Sequence, residues 1–237
     1  MTEVRPDAEA LKRAAAERAA EWIRDGMTLG LGTGSTVRHL LDVIAERRAA
    51  GEWGGIVGIP TSLDTERRAT ALGIPLATLE QRPRVDLTID GADEVDPALR
   101  LIKGLGGALL REKIVAAASA ALVIVADESK VVKRLGTRAP LPVEVDPFGA
   151  ATQPAFLRSL GADPVLRVRE GEPVVTDGGN RIFDCRFPAG IADPERLEAR
   201  LALRPGVLES GLFLGMATAA VIAGADGVRV MEREGAR

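Results

Sequence analysis

Short apolar runs alternate with longer amphipathic segments before Lys130. We predict strands at the apolar runs, which cover residues 27–31, 56–59, 85–89 and 122–126. Between and before them we predict helices: one capped by Asp7 and closed by Gly26, one through His39 that ends near Gly51, one over 65–72, and one starting around Gly107. Strands that alternate with helices are typical of βαβ units. The pattern therefore predicts an α/β domain with a Rossmann-like, mostly parallel sheet.

The pattern changes after Lys130. Residues 135–147 are rich in proline, which favours an exposed or edge strand leaving the first domain. Beyond it we predict a helix over 150–160, a strand over 165–169, a helix over 194–203 and an apolar run at 206–208. The turn Asp177-Gly178-Gly179-Asn180 predicts a hairpin that joins 174–176 to 181–187. This order predicts a smaller α+β domain with a ferredoxin-like antiparallel sheet.

The tail carries two further apolar runs, at residues 211–215 and 227–231, which we expect to form strands that return to the first domain. The predicted organisation is thus an α/β catalytic domain made of residues 1–134 and 211–237, with the small α+β domain at 135–210.

Composition narrows the possible chemistry. The chain has 237 residues, 46% of them hydrophobic, which is enough for a packed core. Its one histidine, His39, excludes mechanisms that need two, and its one cysteine, Cys185, excludes an intrachain disulfide and a cysteine metal site. We expect both to be ordinary helix and strand residues. Acids and bases must come mainly from Asp, Glu and Lys.

Charge and hydropathy indicate where the protein acts. A net charge of −3 and an aromatic content of 3% do not support binding to nucleic acid. The sequence contains no run of 18 apolar residues, so we expect no membrane span. The charged N-terminus does not resemble a secretory signal. We therefore expect a cytoplasmic protein with no membrane partner.

The first candidate site is the glycine-rich turn Gly30-Leu31-Gly32-Thr33-Gly34-Ser35-Thr36. A strand that passes through glycines into a helix start presents backbone N–H groups and a positive dipole end, which suit a phosphate. The dinucleotide fingerprint fails because its sixth position is not glycine, and the Walker pattern fails because no Gly-Lys-Ser/Thr is present. The alternative is a tight turn capped by Ser35.

The second candidate site is the acidic segment Ile89-Asp90-Gly91-Ala92-Asp93-Glu94-Val95-Asp96. It follows a predicted strand, at the carboxyl edge where α/β sheets bind ligands. Carboxylates at Asp90, Asp93 and Asp96 could act on a substrate or bind Mg²⁺, and a solvated acidic turn is the third possibility.

The third candidate site is the segment from Leu101 to Ile114, in which Lys103 precedes a glycine-rich bend and a helix. Glu112 lies near the helix start, where a partly buried carboxylate can serve as a base. The alternative is a surface glutamate paired with Arg111 or Lys113. Lys130 follows another predicted strand. We expect all these segments to follow strands of one parallel sheet and to face one crevice.

Together, Gly-Thr-Gly-Ser-Thr, Asp-Gly-Ala-Asp-Glu, Lys-Gly-x-Gly-Gly-Ala-Leu-x-Arg-Glu-Lys and Asp-Glu-Ser-Lys resemble the ribose-5-phosphate isomerase A family. The resemblance extends to Leu-Pro-Val-Glu-Val and Val-Val-Thr-Asp-Gly-Gly-Asn in the smaller domain. It implies interconversion of ribose 5-phosphate and ribulose 5-phosphate through an enediolate, in the pentose phosphate pathway, with neither a cofactor nor a metal. One departure is Leu105, where other members often have glycine.

The resemblance also implies roles for individual residues. Glu112 would be the general base, and Asp90, Asp93 and Lys103 would assist ring opening and stabilise the oxyanion. Residues implied to bind the substrate are Thr33, Gly34, Ser35, Thr36, Asp90, Gly91, Ala92, Asp93, Lys103, Gly104, Leu105, Gly106 and Lys130. Lys12 matches a lysine that some members place near the substrate. A homodimer, or a tetramer, is also implied.

Three rival functions remain to be weighed. A non-catalytic sugar-phosphate-binding effector domain would normally follow a helix-turn-helix, and about 26 residues before the first predicted strand are too few for one. A CoA transferase would need room for a large thioester. A purely structural module would leave the clustered acids and lysines unexplained.

Overall fold

A computed structural model describes residues 8–233 of the chain, so the predicted cap at Asp7 lies outside the described residues. The helices are α1 (Ala8–Ala20), α2 (Ser35–Ala49), α3 (Leu63–Ala71), α4 (Leu109–Ala117), α5 (Gln153–Ser159) and α6 (Pro194–Ala202). The strands are β1 (Thr28–Leu31), β2 (Val57–Pro60), β3 (Leu87–Gly91), β4 (Glu94–Val95), β5 (Leu101–Ile102), β6 (Leu122–Asp127), β7 (Leu141–Val145), β8 (Asp163–Leu166), β9 (Val168–Arg169), β10 (Glu172–Pro173), β11 (Arg181–Arg186), β12 (Val207–Ser210), β13 (Leu212–Phe213), β14 (Ala219–Gly224) and β15 (Gly227–Glu232). No helix within 8–233 is both long and apolar enough to span a membrane.

The contacts divide the described chain into two compact units. The first unit holds residues 8–91, 114–130 and 216–233, and the second holds residues 92–113 and 131–215. The second unit contains all of the predicted small domain and extends beyond it to include residues 92–113, 131–134 and 211–215. These units follow contacts within the chain, and the predicted domain boundaries stay a prediction.

The first unit is built on a six-stranded sheet in the order β15-β14-β6-β3-β1-β2. All neighbouring strands are parallel except β14 and β15, which form an antiparallel pair. Its apolar core joins α1 and α2 to the sheet through Ala15, Leu40, Leu41 and Ile44. The mostly parallel α/β sheet predicted from the sequence is confirmed.

Strand β14 was not predicted from the sequence. Its six residues, Ala-Ala-Val-Ile-Ala-Gly, are all buried between β6 and β15. Alanine and glycine have little intrinsic preference for strands, so burial between two neighbouring strands decides the conformation here. The predicted strand at 227–231 is confirmed as β15, whereas Leu212–Phe213 pairs with β5 in the second unit and does not return to the first sheet.

The second unit carries a four-stranded antiparallel sheet in the order β12-β7-β11-β8. Helices α5 and α6 pack on one face of it through Leu157, Leu197 and Leu201. A three-stranded sheet, β13-β5-β4, and the β9–β10 pair complete this unit. The predicted α+β class with an antiparallel sheet is confirmed.

The prediction of an exposed or edge strand within 135–147 is wrong. Strand β7 is an inner strand, and all five of its residues are buried. Pro142 is tolerated there because it lies just beyond the last residue pair between β7 and β12, which ends at Ser210. Its carbonyl accepts the N–H of Gly211 at 2.8 Å. The N–H that proline lacks would point to the same side, where the ladder requires no donor.

The predicted hairpin across residues 177–180 is only partly correct. The turn exists, since the N–H of Thr176 donates to the carbonyl of Asn180 at 2.9 Å. Residues 174–176 are not a strand, however, and β11 pairs with β7 and β8 instead. A turn motif is a local signal, whereas strand partners depend on the whole sheet.

Cys185 lies in β11 and is buried, as expected for an ordinary strand residue. Burial raises the pKa of its thiol to about 12. The thiol therefore stays protonated at neutral pH and is chemically inert in the folded chain.

Glu94 fixes the connection that leads into β7. Its side chain is fully buried in β4, and its two carboxylate oxygens accept the backbone N–H groups of Gly136 at 2.6 Å, Arg138 at 2.6 Å and Ala139 at 2.8 Å. A carboxylate can accept all three because it carries two acceptor oxygens and no donor. The Glu94 carboxylate therefore supplies the hydrogen-bond acceptors that a neighbouring strand would otherwise supply to this segment.

We expect E94Q to lower the free energy of unfolding by about 1–3 kcal/mol, because the introduced amide would place a donor against the N–H of Gly136. Urea unfolding followed by circular dichroism measures the change. E172Q is the matched control, since Glu172 is exposed in β10 of the same unit and should change stability little. Equal unfolding midpoints for E94Q and the wild type would contradict this role of Glu94.

Candidate active site

In the first unit, the glycine-rich turn between β1 and α2 lies directly against Asp90. A Cβ on Gly32 would come within 2.2 Å of the Asp90 carboxylate, so only glycine fits at this position. Asp90 is buried, and its Oδ1 accepts the N–H groups of Thr33 at 3.0 Å and of Gly91 at 2.7 Å. The carboxylate thus holds the turn in place from the end of β3.

The helix that follows this turn begins without a side-chain cap. Gly34 is its N-cap, with φ at +126°, and Ser35 and Thr36 are the first two helical residues. Gly34 and Ser35 are exposed and Thr36 is half-buried. The alternative interpretation, a turn capped by Ser35, is therefore wrong. An uncapped helix start presents N–H groups to an anion.

A cluster of hydroxyl groups around Thr33 was missed in the sequence. The Thr33 hydroxyl lies 2.8 Å from those of Thr61 and Ser62 and 3.2 Å from that of Thr65. Thr65 in turn donates to the carbonyl of Gly32 at 2.7 Å. The signal was the Thr-Ser pair after β2, which begins α3 with Ser62 as its N-cap. These hydrogen bonds stabilise the turn, and they engage the Thr33 hydroxyl group within the cluster.

Lys130 and Asp90 lie at the same edge of the first unit's sheet as the glycine-rich turn. Asp90 is in β3 near its carboxyl end, Lys130 ends the short 3₁₀ turn after β6, and the glycine-rich turn follows β1, which is the other neighbour of β3. Gly91 ends β3 and is half-buried. Parallel strands bring these residues together, as the sequence predicts.

The Lys103 segment does not follow a strand of the parallel sheet, so that part of the prediction is wrong. Lys103 follows β5, which pairs antiparallel with β4 and β13 in the second unit. Strands of two residues are too short for a clear apolar pattern, and their pairing depends on β13, about 110 residues further along the chain.

Lys103 and Glu112 form a buried ion pair in the second unit. Their side chains are 3% and 5% exposed, and the Lys103 ammonium lies 3.3 Å from Glu112 Oε2. The Lys103 ammonium also lies 5.4 Å from the centre of the buried Phe213 ring, a cation–π contact. Glu112 is therefore not a surface glutamate paired with Arg111 or Lys113.

The buried face of α4 includes a charged residue, Glu112. The spacing of Leu109, Leu110, Ile114 and Val115 predicts that they form the buried face of α4, but Ile114 is 48% exposed. Glu112 takes a buried position instead, three residues after Leu109 and three before Val115. A charged residue on the buried face of a helix indicates a functional site.

The bend between Lys103 and Gly107 presents its backbone. Gly104 has φ at +101°, and a Cβ there would lie 2.9 Å from that of Leu109. Leu105 and Gly106 are exposed, and the Leu105 N–H donates to Asp93 Oδ2 at 2.9 Å. Ala92, next to Asp93, is half-buried. The second unit thus combines the buried Glu112 carboxylate, the Lys103 ammonium, the Asp93 carboxylate and exposed backbone.

The predicted acidic cluster is divided among different partners. Asp96 accepts the N–H groups of Ala98 and Arg100, each at 2.9 Å, and the Arg100 side chain at 2.7 Å. Within residues 8–233, no group of three or more His, Cys, Asp or Glu side chains is arranged to hold a metal ion. Asp96 serves the fold of its own segment.

Two residues from the sequence analysis lie on the helices of the first unit. Lys12 in α1 pairs with Glu9 at 2.6 Å, and its side chain is 21% exposed. His39 in α2 is half-buried, with Nε2 2.9 Å from Glu9, as expected for an ordinary helix residue.

Comparison with known proteins gives one consistent result. The family model described as ribose 5-phosphate isomerase A (phosphoriboisomerase A) matches residues 57–227. Curated relatives with the name ribose-5-phosphate isomerase A include those of Roseiflexus castenholzii, 55% identical over 93% of this chain and 94% of that protein, and Gloeobacter violaceus, 54% identical over 95% and 97%.

Solved structures agree with the curated relatives. A D-ribose-5-phosphate isomerase in complex with phospho-erythronic acid has a TM-score of 0.93 and 40% identity, covering 96% of this chain and 100% of that one. The ribose 5-phosphate isomerase of Plasmodium falciparum also has a TM-score of 0.93 and 40% identity, covering 95% and 99%. The chain therefore belongs to the ribose 5-phosphate isomerase A family.

Proposed function

We propose that this chain is a ribose-5-phosphate isomerase, which interconverts D-ribose 5-phosphate and D-ribulose 5-phosphate through an enediolate. The observation that carries the proposal is the buried Lys103–Glu112 pair beside an exposed glycine bend. Proton abstraction next to a carbonyl requires a base and a donor for the developing oxyanion. Curated relatives that are 50–55% identical to this chain over almost its whole length carry this enzyme's name.

Glu112 is the proposed general base. It removes the proton from C2 of the open-chain aldose and returns it to C1, while the hydroxyl proton on O2 passes to O1, so that the carbonyl moves from C1 to C2. Lys103 stabilises the negative charge that develops on the oxygen of the enediolate. Asp90 and Asp93 contact the sugar and assist ring opening. Neither a metal nor a cofactor is needed for this proton transfer.

Backbone-rich segments complete the proposed substrate site. We assign substrate contacts to Thr33, Gly34, Ser35, Thr36, Gly91, Ala92, Gly104, Leu105, Gly106 and Lys130, beside Asp90, Asp93 and Lys103. The uncapped start of α2 suits the phosphate, because its N–H groups and the helix dipole favour an anion. For Thr33 the structure supports a backbone role, since its hydroxyl lies within a cluster of three others.

A non-catalytic effector domain is the weaker alternative. Such a domain would require a binding site and no base, so it would have no use for a carboxylate buried at a cost in desolvation beside Lys103. The enzyme name of the curated relatives also argues against it.

We further propose that the enzyme works in the cytoplasm, in the pentose phosphate pathway, as a homodimer, with a tetramer as the alternative. Large apolar side chains exposed on the second unit support self-association, among them Phe148, Val175 and Leu203.

The central test is an isomerase assay on ribose 5-phosphate with the wild type and E112Q. We expect the wild type to form ribulose 5-phosphate, and E112Q to lose about 100- to 10,000-fold in kcat while it keeps its fold and its affinity for ribose 5-phosphate. E172Q, the same change at an exposed position, is the control. Near-normal turnover by folded E112Q would exclude Glu112 as the base, and an inactive wild type would refute the function.

A chelation experiment tests the proposal that no metal is needed. We expect full kcat after dialysis against EDTA, since Lys103 supplies the positive charge that a metal ion would supply. Activity lost on chelation and restored by Mg²⁺ would favour a metal site at the aspartates instead.

Light scattering tests the oligomeric state. We expect a mass in solution of twice or four times that of one chain, because exposed apolar side chains are covered on association. A mass equal to one chain across the working concentration range would contradict the proposed assembly.

A further inference from the structure

Arg167, in the second unit, connects β8 to the bend that follows Lys103. Its Nε and Nη2 donate to the two carboxylate oxygens of Asp184, at 2.9 and 2.5 Å. Its Nη1 donates to the carbonyls of both Gly104, at 3.0 Å, and Leu105, at 3.1 Å. One guanidinium group thus joins a carboxylate of β11 to two consecutive carbonyls of the bend.

These contacts determine which way the backbone of the bend faces. The peptide bonds within residues 8–233 are trans, so each carbonyl points opposite to the N–H of the next residue. With the carbonyls of Gly104 and Leu105 on Arg167, the N–H groups of Leu105 and Gly106 point away from it. The first of these reaches Asp93 Oδ2 at 2.9 Å. Two consecutive N–H groups therefore face the side on which Asp93 lies.

The bend has little else to hold it in this orientation. Three of its four residues from 104 to 107 are glycine, which allows many backbone conformations. Leu105 and Gly106 are exposed, so side-chain packing does not restrain them. Gly104 is fixed on one side by the close approach of Leu109, and its carbonyl also accepts the N–H of Gly107 at 3.0 Å. At Leu105, Arg167 restrains the carbonyl and Asp93 restrains the N–H.

The geometry of arginine suits this task. Arg167 has a side chain only 12% exposed, and its guanidinium is locked by the bidentate contact with Asp184. A planar fork fixed on one edge can aim its remaining N–H groups at two neighbouring carbonyls. A lysine ammonium is a single point charge and cannot keep all these contacts at once.

We propose that Arg167, held by Asp184, is a positioning residue for the isomerase reaction: it orients the bend so that the Gly106 N–H faces the reacting sugar while the Leu105 N–H stays on Asp93. This inference rests on the proposed function. The oriented Gly106 N–H stabilises the oxyanion of the enediolate, which forms only as the reaction proceeds. Arg167 acts through the bend and does not itself contact the substrate.

Steady-state kinetics of R167M on ribose 5-phosphate test the proposal. We expect kcat and kcat/KM to fall together, by about 10- to 100-fold, with little change in KM, because the contacts affected form in the transition state. R167K should lose less, since an ammonium can hold one carbonyl but not both. Guanidinium chloride, far below concentrations that unfold the chain, should restore part of the kcat of R167M and none of that of E112Q.

R169M is the matched control, because Arg169 is exposed two residues away and the change is identical. It should keep wild-type kcat and KM. Circular dichroism gives the folded fraction of each variant, and R167K carries the test if R167M does not fold. Wild-type kcat in the folded variant, a change in KM alone, or a loss that equals the unfolded fraction would overturn the proposal. An inactive wild type would instead refute the proposed function itself.

Discussion

The second unit must accommodate two opposite charges, those of Lys103 and Glu112, which are buried side by side. Removing one charged group from water costs several kcal/mol even after the protein relaxes, so each charge lowers the cost of burying the other. The pair lies in a setting that suits it: Phe213 presents its ring to the ammonium, and the backbone of Lys103 is tied to Gly211 by β5 and β13. A carboxylate and an ammonium group, the proposed base and oxyanion donor, are thereby held side by side.

Close backbone approach is the second recurring device. In the first unit a Cβ on Gly32 would lie 2.2 Å from Asp90 Oδ1, and in the second unit a Cβ on Gly104 would lie 2.9 Å from the Cβ of Leu109. Each glycine allows a turn that presents backbone N–H groups where a side chain would not fit. Glycine also leaves such turns loose, so each needs a partner to hold it: Asp90 accepts the Thr33 N–H, and Arg167 takes two carbonyls of the other bend.

Elements with a local sequence pattern could be predicted, whereas elements that depend on distant partners could not. Strands β1, β3 and β6 were predictable because each lies in a short run rich in apolar residues and bounded by turns, which is a local pattern. The inner position of β7, the all-buried Ala-rich β14 and the short β4, β5 and β13 were not, because each depends on partners far along the chain. The Thr33 hydroxyl cluster and the buried anchor Glu94 were missed for the same reason.

The sequence by itself determined the α/β and α+β classes, the family, and the candidate residues, because periodicity and motif spacing are properties of short stretches. Only the tertiary structure decided that Glu112 is buried against Lys103, that Asp96 serves its own loop, and that Arg167 reaches the bend 62 residues before it. Burial and charge pairing are properties of three-dimensional neighbours, and a linear pattern does not contain them.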